Sequence, residues 1–191
     1  MSAFWISTAV IFAAELGDKS QLMALTFATR YRFWTVLAGI TAATAVVHLV
    51  SVAIGATVGL HLPTSLISVL AGLAFLGFGA WTLRGDTLDE DEKAKADRVT
   101  RSQWAAFAAV AVAFFLAELG DKTMLATVTL ATREGWVGTW LGSTVGMVGA
   151  DALASGLGTL VGRALPEKAV RYGAAALFFV FGVALVVEGL R

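Results

Sequence analysis

The sequence predicts an all-α integral membrane protein whose six transmembrane helices form a 3+3 inverted-topology repeat. Three observations carry that expectation. The 191 residues are 58% hydrophobic and only 15% charged, whereas a soluble domain has about 45–50% apolar and about 25% charged residues. Six stretches reach the ~20 mostly apolar residues that cross a bilayer. Residues 15–30 are matched, without a gap, by residues 118–133.

The apolar excess sets the class. A chain this short exposes much of its surface even when folded, and a mean hydropathy of +0.78 leaves more apolar surface than its interior can hide. Lipid must cover the remainder. Open sheet edges would leave backbone groups unpaired there, so the spans are expected to be helices. They fall at Phe4 to Thr29, Thr35 to Leu60, Thr64 to Leu83, Gln103 to Thr132, Trp136 to Val161 and Lys168 to Glu188. Turn signals at Arg30-Tyr31-Arg32, His61-Leu62-Pro63, Arg133-Glu134-Gly135 and Leu165-Pro166-Glu167 separate most of them. The first run has no basic n-region and contains carboxylates and a lysine, so it reads as a retained span and not as a signal peptide.

Domain organisation follows: residues 1–85 form the first three-helix repeat and 103–191 the second, inverted one. Residues 86–102 form a charged linker, with Asp86, Asp89, Glu90, Asp91, Glu92, Lys93, Lys95 and Arg98. Lys and Arg collect on one side: Arg30, Arg32, Arg84, the linker, Arg163, Lys168 and Arg171, against Arg133 and Arg191 opposite. Positive charge marks the cytoplasm, so the linker is expected to be cytoplasmic and both termini outside. Trp5, Trp34, Trp81, Trp104, Trp136 and Trp140 lie near span ends and read as interfacial anchors. A net charge of +0 provides no field for a nucleic-acid partner. The absence of Cys excludes disulfides, thiolate metal sites and cysteine nucleophiles.

The repeat holds one offset of 103 residues through three spans. Glu15-Leu16-Gly17-Asp18-Lys19 matches Glu118-Leu119-Gly120-Asp121-Lys122. The offset also maps Gly39 onto Gly142, Gly55 and Gly59 onto Gly158 and Gly162, and Phe75 and Phe78 onto Phe178 and Phe181. Each half has an odd number of spans, so the second enters the membrane in the opposite sense, a plan common in secondary transporters.

The chemistry concentrates in the two motifs. Glu15, Asp18, Lys19, Glu118, Asp121 and Lys122 fall near mid-span, where an ionisable group costs roughly 2.5–3.5 kcal/mol on insertion scales. Such groups persist when they face a cavity and have partners. In a continuous helix Glu15, Asp18 and Lys19 share one face, as do Glu118, Asp121 and Lys122. Gly17 and Gly120 permit close packing or local unwinding. Two carboxylates and one ammonium per half leave a net of minus two for both halves, which one divalent cation neutralises. Glu15, Asp18, Glu118 and Asp121, with Ser20 and Thr123 hydroxyls and the Gln21 amide, form a hard oxygen shell suited to Ca²⁺, Mn²⁺ or Mg²⁺. Met124, at the position of Gln21, adds a soft thioether favouring Mn²⁺ over Ca²⁺. Lys19 and Lys122 are expected to balance charge when the ion is away. His48 and Asp151 correspond under the offset and are candidates for proton coupling. Thr41, Thr44, Ser143 and Thr144 are expected to hydrogen-bond between helices.

Two copies of E-x-G-D-[KR]-[ST], one opening each half, resemble the calcium/manganese cation antiporter family, which includes Golgi, chloroplast and bacterial manganese transporters. Every motif position fits: Glu15, Gly17, Asp18, Lys19, Ser20 and Glu118, Gly120, Asp121, Lys122, Thr123. The resemblance covers the chain except the linker. It implies a secondary transporter, not an enzyme. It implies export of Mn²⁺, or next Ca²⁺, from the cytosol against inward H⁺ or Na⁺, across a bacterial inner membrane. It also implies no cofactor beyond the transported ion at a midplane site. A cation or proton channel would use the same acidic ring as a filter, and a structural membrane subunit would use it only to hold helices.

Overall fold

A computed structural model describes residues 2–59, 63–84, 102–161 and 167–191. Regular structure among these residues is helical: α1 (Ser2–Glu15), α2 (Lys19–Ala28), α3 (Phe33–Gly59), α4 (Thr64–Arg84), α5 (Gln103–Glu118), α6 (Lys122–Ala131), α7 (Trp136–Val161) and α8 (Glu167–Gly189). α3 and residues 65–83 of α4 are each long and apolar enough to cross a membrane. α5 and α6 together make a third such stretch, bent by 71° at their break. α1 and the Phe178–Gly189 part of α8 are shorter apolar helices. The expected linker lies outside the described residues apart from Ser102.

The first and fourth expected spans are not continuous. Gly17 has φ 78° and Gly120 φ 79°, the left-handed region that costs an L side chain roughly 1–2 kcal/mol. The chain turns there, and the Asp18 N–H reaches back to the Glu15 carbonyl at 3.0 Å, as Asp121 does to Glu118 at 3.2 Å. Asp18 and Asp121 are then extended, with ψ of 165° and 166°, and begin new helices. The expectation that each Glu-x-x-Asp-Lys shares one helical face is therefore corrected. Glutamate closes one half-helix, and aspartate and lysine open the next.

Helix packing follows the repeat. α1 packs on α7 and its counterpart α5 on α3; α3 crosses α7, and α4 runs along α8. Equivalent residues meet one another: the Thr44 hydroxyl donates to Met147 Sδ at 3.4 Å, and the Phe75 and Phe178 ring centroids are 5.8 Å apart. Reciprocal pairs flank them, Phe75 with Phe181 at 6.3 Å and Phe78 with Phe178 at 6.0 Å. Small residues set the closest approaches. A Cβ on Gly142 would sit 2.3 Å from the Phe4 carbonyl oxygen, and one on Gly55 2.3 Å from that of Val128. Two apolar cores fill the space between, one around Phe27, Ile40 and Phe114, the other around Ile11, Phe75, Leu130 and Phe178.

Most hydroxyls expected to join helices stay within their own. Thr41 donates to Leu37, and Ser143 and Thr144 to the Trp140 carbonyl. A chain without water nearby satisfies a hydroxyl most readily on its own preceding turn. Thr44, by contrast, bonds to another helix. Trp5, Trp34, Trp81, Trp104 and Trp136 are exposed. Trp140 is half-buried and donates to the Ala45 carbonyl at 2.8 Å, so it ties α7 to α3 and is no simple anchor.

Candidate functional site

The two breaks build the site. Glu15 and Glu118 are the last residues of α1 and α5 and are fully buried. A helix C-terminus carries partial negative charge, so each carboxylate adds to a field that already favours a cation. Asp18 and Asp121 occupy the N-caps of α2 and α6, yet neither side chain caps its helix. That forgoes about 1 kcal/mol of capping. Lys19 and Lys122 follow at the positive end of a helix, where the dipole opposes them. The lysines are held by crossed ion pairs. The Lys122 ammonium contacts the Asp18 carboxylate, both almost fully buried, and Lys19 Nζ lies 3.9 Å from Asp121 Oδ1. Each lysine thus reaches the aspartate of the other half.

The glutamates converge. Glu15, Glu118 and Asp121 each present an oxygen within 4.8 Å of the others. Oxygens on opposite sides of one Ca²⁺ are about 4.6–5.2 Å apart, given bonds of 2.3–2.6 Å, so the three fit around a single ion. The Ser20 hydroxyl donates to Glu15, and the Thr123 hydroxyl to Glu118 at 3.0 Å. Glu15 Oε1 and Glu118 Oε1 have no hydrogen-bond partner among the described residues. Buried carboxylate oxygens without donors are costly, and a hard cation is the partner that suits them. Asp18, the fourth expected carboxylate, contacts Lys122, and its charge still reaches Glu118.

Gln21 and Met124, expected as ligands, are engaged elsewhere. Gln21 Oε1 accepts from the Gly17 N–H at 2.8 Å, and its Nε2 donates to the Ala150 carbonyl at 3.0 Å. The Gly120 N–H meets Met124 Sδ at 3.2 Å. Both side chains fold back over the glycine turn, and Gln21 alone links it to α7. Asp151 is fully buried beside Glu15 and the Ser20 hydroxyl. His48 is buried, with Nδ1 lacking a partner among the described residues. The crossed pairing and the Gln21 link escape sequence reasoning. Equal spacing of Asp and Lys in both motifs signals pairing but not which half supplies the partner.

A helical, apolar chain that brings three buried carboxylates together at two repeated half-helix breaks has the design of a membrane cation carrier. The chain belongs to the GDT1 family: the family model described as divalent cation/proton antiporter GDT1 matches residues 3–90 and 106–191. A Vibrio cholerae protein named "Putative manganese exporter" is 33% identical over 187 residues, covering 96% of this chain and 90% of that protein. "Protein PAM71, chloroplastic" of Arabidopsis thaliana is 32% identical over 213 residues, with 98% of this chain spanning 57% of the plant protein. "GDT1-like protein sll0615" of Synechocystis is 29% identical over 198 residues, 96% of each. No solved structure matches the chain.

Proposed function

We propose that the protein exports Mn²⁺, with Ca²⁺ as second substrate, from the cytosol of a bacterial cell in exchange for protons. Six spans in a 3+3 inverted repeat would cross the inner membrane, with residues 86–102 cytoplasmic and both termini outside. The convergence of Glu15, Glu118 and Asp121 on one point carries this reading. The name of the Vibrio relative supports manganese and the outward direction, and the distribution of Lys and Arg supports the orientation.

The coupling follows from ligand chemistry. A carboxylate must lose its proton to hold a metal ion, so protons and metal compete for the same oxygens. Arrival of protons from outside releases the ion, and loss of protons to the cytosol prepares the site again. Lys19 and Lys122 hold Asp121 and Asp18 across the interface while the ion is absent. The glycine turns at Gly17 and Gly120 let the half-helices reorient about the site. His48, buried in α3, is a further proton carrier on this reading.

Reconstituted protein tests it. Proteoliposomes loaded with a pH-sensitive dye should show Mn²⁺ flux that moves protons the other way. Glu15→Gln and Glu118→Gln should each abolish both signals. Undiminished Mn²⁺ flux in either variant would remove the basis of the proposal, and large unitary currents would indicate a channel instead.

A further inference from the structure

We propose that Asp151 is an additional ligand of the transported cation, present in one half of the repeat only. The inference rests on the cation site described above and makes that site unequal. Asp151 lies on α7, is fully buried, and neither carboxylate oxygen has a hydrogen-bond partner among the described residues. It sits beside Glu15 and the Ser20 hydroxyl, and its charge also reaches Glu118. Its charge thus reaches the two glutamates whose own Oε1 atoms lack partners among the described residues, from outside the trio whose oxygens lie within 4.8 Å of one another.

A chain of hydrogen bonds puts it there. The Gly17 N–H donates to Gln21 Oε1, and Gln21 Nε2 donates to the carbonyl of Ala150, the residue before Asp151. The turn that aims Glu15 is thereby fastened to the stretch of α7 that aims Asp151. The other half has no equivalent. Met124 replaces Gln21 and has no N–H to give, and His48 replaces Asp151. Two exchanges at corresponding positions remove both the link and the charge.

A purely structural carboxylate at this depth needs donors. The Ser20 hydroxyl gives its one proton to Glu15, and the Gln21 amide is committed to Ala150. A hard divalent cation supplies what the side chain lacks. The four motif carboxylates and two lysines leave a net of minus two, and Asp151 makes it minus three on the side of Glu15. The ion is drawn toward the first half, and its shell gains a hard oxygen.

The test is Mn²⁺ binding to the full chain in lipid nanodiscs, read by the electron paramagnetic resonance signal of free Mn²⁺. Wild type, Glu15→Gln, Asp151→Asn and Asp151→Glu are compared. Melting temperature is measured with chelator and with saturating Mn²⁺. Asp151→Asn should weaken Mn²⁺ binding by about tenfold or more, the scale of losing a group that tunes a metal site. It should also shrink the Mn²⁺-induced rise in melting temperature without lowering the chelator value. Asp151→Glu should keep most of the affinity. Wild-type affinity in Asp151→Asn while Glu15→Gln has lost binding overturns the proposal and spares the cation site. Wild-type affinity in Glu15→Gln overturns both. Equal losses in Asp151→Asn and Asp151→Glu point to shape and also overturn it. If Asp151→Asn does not assemble, Asp151→Ser, smaller and uncharged, is read by the same criteria.

Discussion

Two ion pairs that look equivalent in sequence should differ several-fold in worth. Lys122 and Asp18 are both almost completely buried and in direct contact, whereas Lys19 keeps 21% of its side chain exposed and stands 3.9 Å from Asp121. Removing one member of a buried pair leaves an uncompensated charge and costs about 3–5 kcal/mol. A partly hydrated, looser pair is worth about 1 kcal/mol. Lys122→Met should therefore lower the melting temperature of chelator-treated protein by roughly 10 °C, and Lys19→Met by roughly 3 °C, at about 2–4 °C per kcal/mol for a chain of this size. Adding Asp18→Asn to Lys122→Met removes both charges and should restore most of the loss, since neutral pairs in such places are tolerated. The six tryptophans give a fluorescence readout of unfolding in detergent. Equal losses in the two lysine variants, or no recovery in the double variant, would refute the crossed-pair account.

Four further outcomes follow. Gly120→Asn should be tolerated better than Gly120→Val, because asparagine reaches positive φ and a β-branched residue does not. A Cβ at Gly120 would meet nothing, so crowding at that atom adds nothing to the difference in melting temperature. Gly55→Ala should disrupt assembly, visible in gel filtration, because the new methyl would lie 2.3 Å from the backbone oxygen of Val128. Mn²⁺ affinity, measured by calorimetry, should fall as pH is lowered, since protons bind the same carboxylates that must be ionised to hold metal. An affinity flat between neutral and acid pH would separate metal binding from proton exchange. Gln21→Leu should detach the first glycine turn from α7 and speed hydrogen exchange at Gly17 more than Met124→Leu speeds it at Gly120, where only a weaker N–H to sulfur contact is lost.

The sequence announces the half-helix breaks only obliquely. Glycine inside a charged mid-span motif signals room or unwinding, and the structure uses it for unwinding, because positive φ at Gly17 and Gly120 ends one helix and starts another. The pairing of Glu15 with Glu118 is legible from repetition: one offset maintained over three spans makes equivalent positions meet. The partner of each lysine is not legible, since spacing within a motif is the same whether Lys122 reaches Asp121 or Asp18. Donor geometry is likewise hidden. Gln21 and Met124 occupy the same place and read as ligands by type. Their acceptor atoms turn to the adjacent glycine N–H, a donor that the helix break leaves without a helical carbonyl.

The contact between Thr44 and Met147 has a consequence for how such a molecule can vary. A dimer of two identical three-helix chains would press each residue at that crossing against its own copy, threonine on threonine or thioether on thioether. Joining both copies into one polypeptide frees the two positions to differ, so that one can donate a hydroxyl proton and the other accept it. Chemical complementarity at the centre of the fold is a privilege of the fused gene product, closed to any self-associating half.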